Sequence, residues 1–430
     1  MAGPTSGTHV PSGYQQVWML AFSMAILQVG FGMVVPVFPY YVQELGMGGT
    51  ELGALTASFA LSRIVLSGPM GRLSDRVGRK PVLLFSLIGF GLSNLVYAMA
   101  DTVIVMIAAR AAEGAISAGF FPAANAFVSD VTTVRNRGSA MGRLNVGNMV
   151  GMVLGPVAGG MLAGVLGVRL PFVVASLLAF GTMLSVHLLL REPPRLQPAP
   201  VSGMGLSRRG SGLTVMSQHP LAFSALMVTS FASTFSLGVL QVALVLDVIQ
   251  NPRPGLVVTP MIIGVMFGMV GVVTAAGSVA FGKASDRLGR KWLIVSGSLA
   301  GALAMGMFLS AQDNSSLFAA ALVLSISMSL HTPTLQALIA DLTDRSAYGS
   351  VMGVLGAVTS LAMVLSPLVG GYLFDQMASS SAALTIGLCM MLGAALYSAF
   401  SLPDGRRLLS ENGLTCSQLS LESGGNVCHD

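Results

Sequence analysis

The chain has 430 residues, of which 53% are hydrophobic and 9% charged, and its mean hydropathy is +0.77. Soluble chains carry about 25% charged residues, so this composition excludes a water-soluble enzyme and makes lipid the main solvent. Three cysteines, Cys389, Cys416 and Cys428, are too few for a disulfide-stapled secreted protein and leave the redox compartment unreadable, while the formal charge of +5 takes its meaning from where the charges fall.

A span needs roughly 20 apolar residues to cross the hydrocarbon core, and the chain offers twelve. Residues 1–16 form a tail without Lys or Arg, unlike a cleavable signal, so the first span is expected to be retained. Spans follow at 17–40, 51–70, 82–100, 102–128, 139–163 and 171–190, which together make a six-helix unit over 17–190. Residues 191–218, rich in Pro, Arg, Ser and Gly, read as a flexible linker. Six more spans, at 220–247, 260–281, 292–311, 315–339, 349–374 and 381–401, make a second unit over 219–401 before a polar tail at 402–430. The architecture predicted is an all-α membrane protein of twelve helices in two bundles.

Eighteen of the 22 basic residues fall in the linkers after spans 2, 4, 6, 8 and 10 or in the C-terminal tail; Arg169 and Arg253 are opposite, and Arg63 and Arg110 lie within spans. The positive-inside rule then places both termini and the central linker in the cytoplasm. The net positive charge is thereby a topology signal and gives no support for nucleic-acid binding.

The two halves repeat. GRLSDRVGRK at 71–80 recurs as GKASDRLGRK at 282–291, and the same offset of 211 carries Pro122 onto Pro333, Asp130 onto Asp341, and Pro156, Gly159 and Gly160 onto Pro367, Gly370 and Gly371. One gapless offset across three spans marks a tandem duplication. Transporters built from such repeats bind substrate at the interface of the halves and rock one against the other.

The repeated motif, with Gly71, Asp75, Arg76, Gly78, Arg79 and Lys80 in one copy and Gly282, Asp286, Arg287, Gly289 and Arg290 in the other, reads as a loop of about ten residues; a bare topology anchor needs charge alone, without that spacing. In both halves it resembles the signature loop of the major facilitator superfamily. Span 5 carries GNMVGMVLGPVAGG, in which Gly147, Gly151 and Gly155 line one helix face and Pro156, Gly159 and Gly160 follow. A small-residue face permits close helix contact, and the GxxxGPxxGG pattern resembles that of the twelve-span drug:proton antiporters, which include tetracycline and multidrug efflux proteins. The resemblance implies that Arg79 pairs with Asp130 in a link that holds the outward-open state. In that state Asp75 is expected beside the start of span 11, at Tyr348 to Ser350.

Span 4 holds Arg110 and Glu113, one helical turn apart. Ionisable groups at membrane depth are costly and mark pathways. Arg110 and Gly114 match the Arg-x-x-x-Gly pattern of the antiporters, whose arginine is implicated in proton transfer, whereas Glu113 replaces their common Gln. Two roles stay open for Glu113, a static partner of Arg110 or a carrier that binds and releases a proton. Many related antiporters have an acid in span 1, where this chain has Gln28; its Pro36 and Pro39 should bend that span near its outer end. The resemblance also implies a central cavity lined mainly by spans 1, 4, 7 and 10. Gln28, Arg63, Asn125, Gln241 and His331 are the polar candidates for lining it, with a packing role open for His331.

No Walker loop, metal-ligand cluster or nucleophile triad occurs in the sequence, and no cofactor or metal is expected. Asp404, Leu408 and Leu409 in the tail match an acidic dileucine sorting pattern, which leaves a vesicular or vacuolar membrane open beside the cell membrane. The function expected is export of small apolar or cationic organic compounds in exchange for protons by a monomer in the lipid bilayer. The alternatives are a facilitator or symporter that imports a metabolite and, more distantly, a non-transporting receptor.

Overall fold

The computed structural model describes residues 13–133, 136–193, 216, 219–343 and 347–402. Most of the N-terminal tail and linker, the C-terminal tail with its dileucine, and the side chains of Asp286 and Arg287 lie outside the described residues. Twelve helices are long and apolar enough to cross a membrane, from Gln15–Glu44 to Ser381–Ser401, and the protein is an all-α, multi-pass integral membrane protein.

Three spans depart from simple helices, two of them beside a proline that interrupts the backbone ladder. Span 1 is Gly13–Val34 followed, after a turn at 35–37, by Phe38–Glu44, a break at Pro36. Span 4 opens between Val103–Ser117 and Phe120–Val131, because Pro122 has no N–H to return to the carbonyl of Ala118. Span 7 passes from Pro220–Val239 through a π-turn at Leu240–Leu244, which contains Gln241, into Val245–Gln250. The repeated charged motif is mostly helical where the sequence suggested a loop. Span 2 runs to Val77 and span 3 starts at Arg79, so the chain reverses on Gly78 alone, at φ 118°; Gly289 does the same at φ 84°. Both values lie in the region that side chains other than glycine rarely adopt. Hydropathy ends with the lipid, whereas helical hydrogen bonding continues beyond it.

Span 5 is one helix, Arg137–Leu166, straight through Pro156. Its glycine stripe packs on span 1: a Cβ at Gly155 would lie 2.7 Å from both Gly32 Cα and the Val29 carbonyl oxygen, and one at Gly151 would stand 2.7 Å from that of Ala25. Gly147 and Gly159 meet the carbonyls of Ala21 and Met33. The opposite side of the same motif touches the other half. Gly160 meets Pro260 and Gly264 of span 8, and Gly264 meets Pro156. The duplicate contact joins spans 2 and 11, where Gly53 meets Pro367 and Gly49 meets Gly371. Adding 211 to Gly53 and Gly49 gives the positions of Gly264 and Pro260, so the two closures are related by the repeat.

Both closures lie at the end of the bundle away from the basic motifs. There the Asp375 carboxylate of span 11 also caps span 2, accepting from the Gly49 N–H at 2.6 Å, the Thr50 N–H at 2.7 Å and the Thr50 hydroxyl at 2.5 Å. A carboxylate at a helix N-terminus interacts favourably with the helix dipole. At the basic end the halves stand apart, and Gly68, Gly71, Gly138, Gly142, Gly349, Gly353 and Gly356 each face open space.

Two outcomes follow. Gly151→Leu should lower stability by about 1–3 kcal/mol or more, the usual cost of overpacking, read as thermal unfolding of the purified protein; an unchanged midpoint would show that the stripe carries no contact. Asp375→Asn should widen the distance distribution between spin labels at Glu44 and Met377 as the closed end loosens, and an unchanged distribution would remove Asp375 from that closure.

Candidate functional site

The first-half spans bring one acid and one arginine into an aromatic enclosure. Glu113 is 1% exposed and Arg110 6%, and they pair at 2.7 Å across one helical turn. The same carboxylate oxygen accepts a hydrogen bond from the hydroxyl of Tyr97 in span 3, also at 2.7 Å. The Arg110 guanidinium lies over the rings of Phe59 at 4.4 Å, Phe38 at 4.8 Å and Phe31 at 5.7 Å, and its Nε has no hydrogen-bond partner. Tyr97 is held in turn by edge contact with Phe38 and by Phe172, while the Tyr41 hydroxyl donates to the Tyr97 and Ala100 carbonyls. Gly114 admits this packing, since a side chain there would run into Phe59 and Ser62 of span 2.

Beside this cluster lies a recess of about 60 Å³ lined by Gln28, Phe31, Phe59, Arg63, Ser86, Phe90, Ser117, Phe120 and Phe121, among others. Phe121 is shared with a vestibule of about 420 Å³ lined also by Met24, Asn125, Met141, Gly142, Asn145 and Asn148. That is within the range of drug-sized sites, about 300–1,000 Å³. Of the polar candidates, Gln28 and Arg63 reach the recess and Asn125 the vestibule, whereas Gln241 lies in the π-turn of span 7. His331 is buried against span 9, bonded to the Ser298 hydroxyl at 3.0 Å and the Ile294 carbonyl at 3.3 Å. Asp247, at the end of span 7, is also buried; it pairs with Arg253 at 2.7 Å and accepts from Asn251 and the Ser380 N–H.

At the basic end, Arg79 pairs with Asp130 at 3.1 Å and with Asp75 at 2.5 Å, and the repeat places Arg290 against Asp341 in the same way. Glu192 caps span 3 by accepting from the N–H groups of Arg79 at 2.6 Å and Lys80 at 2.7 Å, and the Lys80 ammonium donates to the His187 carbonyl. The Arg79–Asp130 pair therefore exists with the basic end open, and Asp75 turns to Arg79.

Tyr97 and Asp375 escape sequence reasoning. Tyr97 sits 16 residues from its partner on a different span, and Asp375 lies 326 residues from Gly49, separations at which no local periodicity reports contact. A tyrosine within a mostly apolar span is the sequence signal for the former.

Removing the Tyr97 hydroxyl takes one of two donors from a buried carboxylate. Tyr97→Phe should destabilise the protein by about 1–3 kcal/mol, and Arg110→Ala by more, about 3–5 kcal/mol, because it leaves the carboxylate without its counter-ion. Thermal unfolding that ranks the two in the opposite order would contradict this arrangement.

The chain matches the family model of the Major Facilitator Superfamily over residues 20–246 and 223–415. It is 28% identical over 359 residues to Multidrug resistance protein 2 of Bacillus subtilis (strain 168), covering 83% of this chain and 88% of that one. It is 30% identical over 378 residues to the class C tetracycline resistance protein of Escherichia coli, covering 86% and 91%. A bacterial homologue of the human lysosomal transporter Spinster, solved inward-facing and unoccupied, superposes with a TM-score of 0.75 at 17% identity over 92% of this chain and 96% of that one. With its twelve spans, duplicated halves and repeated charged motif, the chain belongs to the Major Facilitator Superfamily of membrane transporters.

Proposed function

We propose that the protein exports small, drug-like, apolar or cationic compounds in exchange for protons by alternating access, working as a monomer. The observation that carries this reading is the buried Glu113, bonded to Arg110 and Tyr97 within a few side chains of a drug-sized vestibule. An intramembrane acid at a cavity is costly unless it serves a pathway. By the positive-inside rule the basic end is cytoplasmic, so this arrangement is inward-facing. The Gly49–Gly371 and Gly160–Gly264 closures then form the outer gate. Opening to the outside breaks those closures together with the Asp375 cap. It brings the cytoplasmic starts of spans 5 and 11 together, and Asp75 can then exchange Arg79 for the N-terminus of span 11.

The chemistry of Glu113 suits an exchanger. In the inward-facing state its carboxylate accepts from both the Tyr97 hydroxyl and the Arg110 guanidinium. Arg110 travels with Glu113 on span 4, so a shift of span 3 takes away the Tyr97 hydroxyl, and a proton bound by the carboxylate would offset the loss of that bond. The multidrug and tetracycline resistance relatives support export of such compounds and a bacterial-type cell membrane. A metabolite importer on the same scaffold has no comparable support from the relatives, since fold alone does not set direction.

Everted membrane vesicles loaded with tetracycline or a neutral fluorescent dye test the reading. Glu113→Gln should abolish gradient-driven accumulation while preserving part of the downhill exchange, and Arg110→Ala should impair both. Undiminished proton-driven transport by Glu113→Gln would move the carrier elsewhere, with Asp247 the other buried acid to test.

A further inference from the structure

Arg63 occupies an unusual electrostatic position. It lies in the interior of span 2 and is half-buried, with its guanidinium 4.9 Å from the ring centre of Phe121 and 5.9 Å from that of Phe59. Among the described residues no carboxylate lies within ion-pair distance of it and no group hydrogen-bonds to it. The other ionisable groups buried in the spans are accounted for: Glu113 by Arg110, Asp247 by Arg253, and His331 by Ser298. Among the described residues, Arg63 is thus a cation within the spans that has no counter-ion. Gln28, which lines the same recess, likewise has no protein partner for its amide.

A partly desolvated cation without a counter-ion is costly, and an arginine presents up to five donors in a planar fork that matches a carboxylate two at a time. The walls around it are rings, Phe31, Phe59, Phe90, Phe120 and Phe121. At about 60 Å³ the recess has room for a compact group and the adjoining space, at about 420 Å³, for the body of a drug-sized molecule, with Phe121 common to both. We infer that this recess is an acid-recognition subsite: Arg63, assisted by the Gln28 amide, receives the carboxylate of an aromatic substrate whose rings stack among these phenylalanines. The inference rests on the transport reading and narrows its substrate class, turning it from cations toward aromatic acids. A permanent cation in the recess would meet Arg63 at close range with no acid there to offset the repulsion. Phe59 contacts both Arg63 and Arg110, so the subsite stands one ring away from the Glu113 cluster without sharing its carboxylate.

Equilibrium binding to the purified full-length protein in lipid nanodiscs tests this, with three fluorescent probes of one shape: 9-anthracenecarboxylate, 9-anthracenemethanol and 9-(aminomethyl)anthracene. The wild type should bind the carboxylate at least roughly tenfold more tightly than the ammonium, the lower range for hydrogen bonds to a charged group. Arg63→Gln should remove that preference while leaving affinity for the neutral alcohol nearly unchanged, and Arg63→Lys should restore part of it. A structural Arg63 would instead lower all three affinities together, and that result, or a wild type that binds the ammonium as tightly as the carboxylate, would overturn the inference. Carboxylate selectivity in a protein that fails to exchange protons in vesicles would sink the export reading and leave the subsite standing; proton-driven export with no charge selectivity would do the reverse.

Discussion

Backbone contact at glycine is the constraint on which the arrangement of this protein depends. In lipid, apolar side chains gain nothing by leaving the solvent, so helices associate through close packing and through polar contacts they cannot make elsewhere. Gly151, Gly155 and Gly159 let span 5 lie against the carbonyls of span 1, and Gly160 on the neighbouring face lets the same helix meet span 8. One stretch of sequence thereby fixes the interior of the first bundle and joins it to the second. Because the motif is duplicated, spans 11 and 2 repeat the contact between the halves, and the two seams close one end of the molecule while the other stands open.

The seams differ in one respect that bears on function. The joint between spans 5 and 8 is made of small residues and backbone, whereas that between spans 2 and 11 adds the Asp375 carboxylate on the start of span 2. Packing without a strong directional bond can separate and reform, and a capped helix end adds a discrete interaction to be broken. Span 2 also carries Arg63 and Phe59, and Phe59 covers Arg110. The closed seam is in this way continuous, through one helix, with the recess and with the Glu113 cluster.

The sequence discloses the twelve spans, the duplication and the Arg110–Glu113 pair because each rests on local composition, a fixed offset or helical spacing. It also discloses the bend at Pro36, since proline acts on its own helix. It understates span 2, whose helix continues for seven residues beyond the expected boundary at Met70, because charged residues outside lipid remain compatible with a helix. The roles of Tyr97 and Asp375 are set by tertiary neighbours. His331 shows the same limit from the other side: its neighbourhood beside Pro333 favours a hydrogen-bonded packing role without naming the partner, and the position of Ser298 on span 9 supplies it.

The central proposal is that protonation of Glu113 is coupled to opening of the seam between spans 2 and 11. The measurement that bears on it most directly is the distance distribution between spin labels at Glu44 and Met377, recorded across pH in wild type and in Glu113→Gln. The account predicts that the wild-type distribution shifts between short and long distances as pH changes, and that the Glu113→Gln distribution does not respond to pH. A wild-type distribution indifferent to pH, or an equal response in Glu113→Gln, would contradict it.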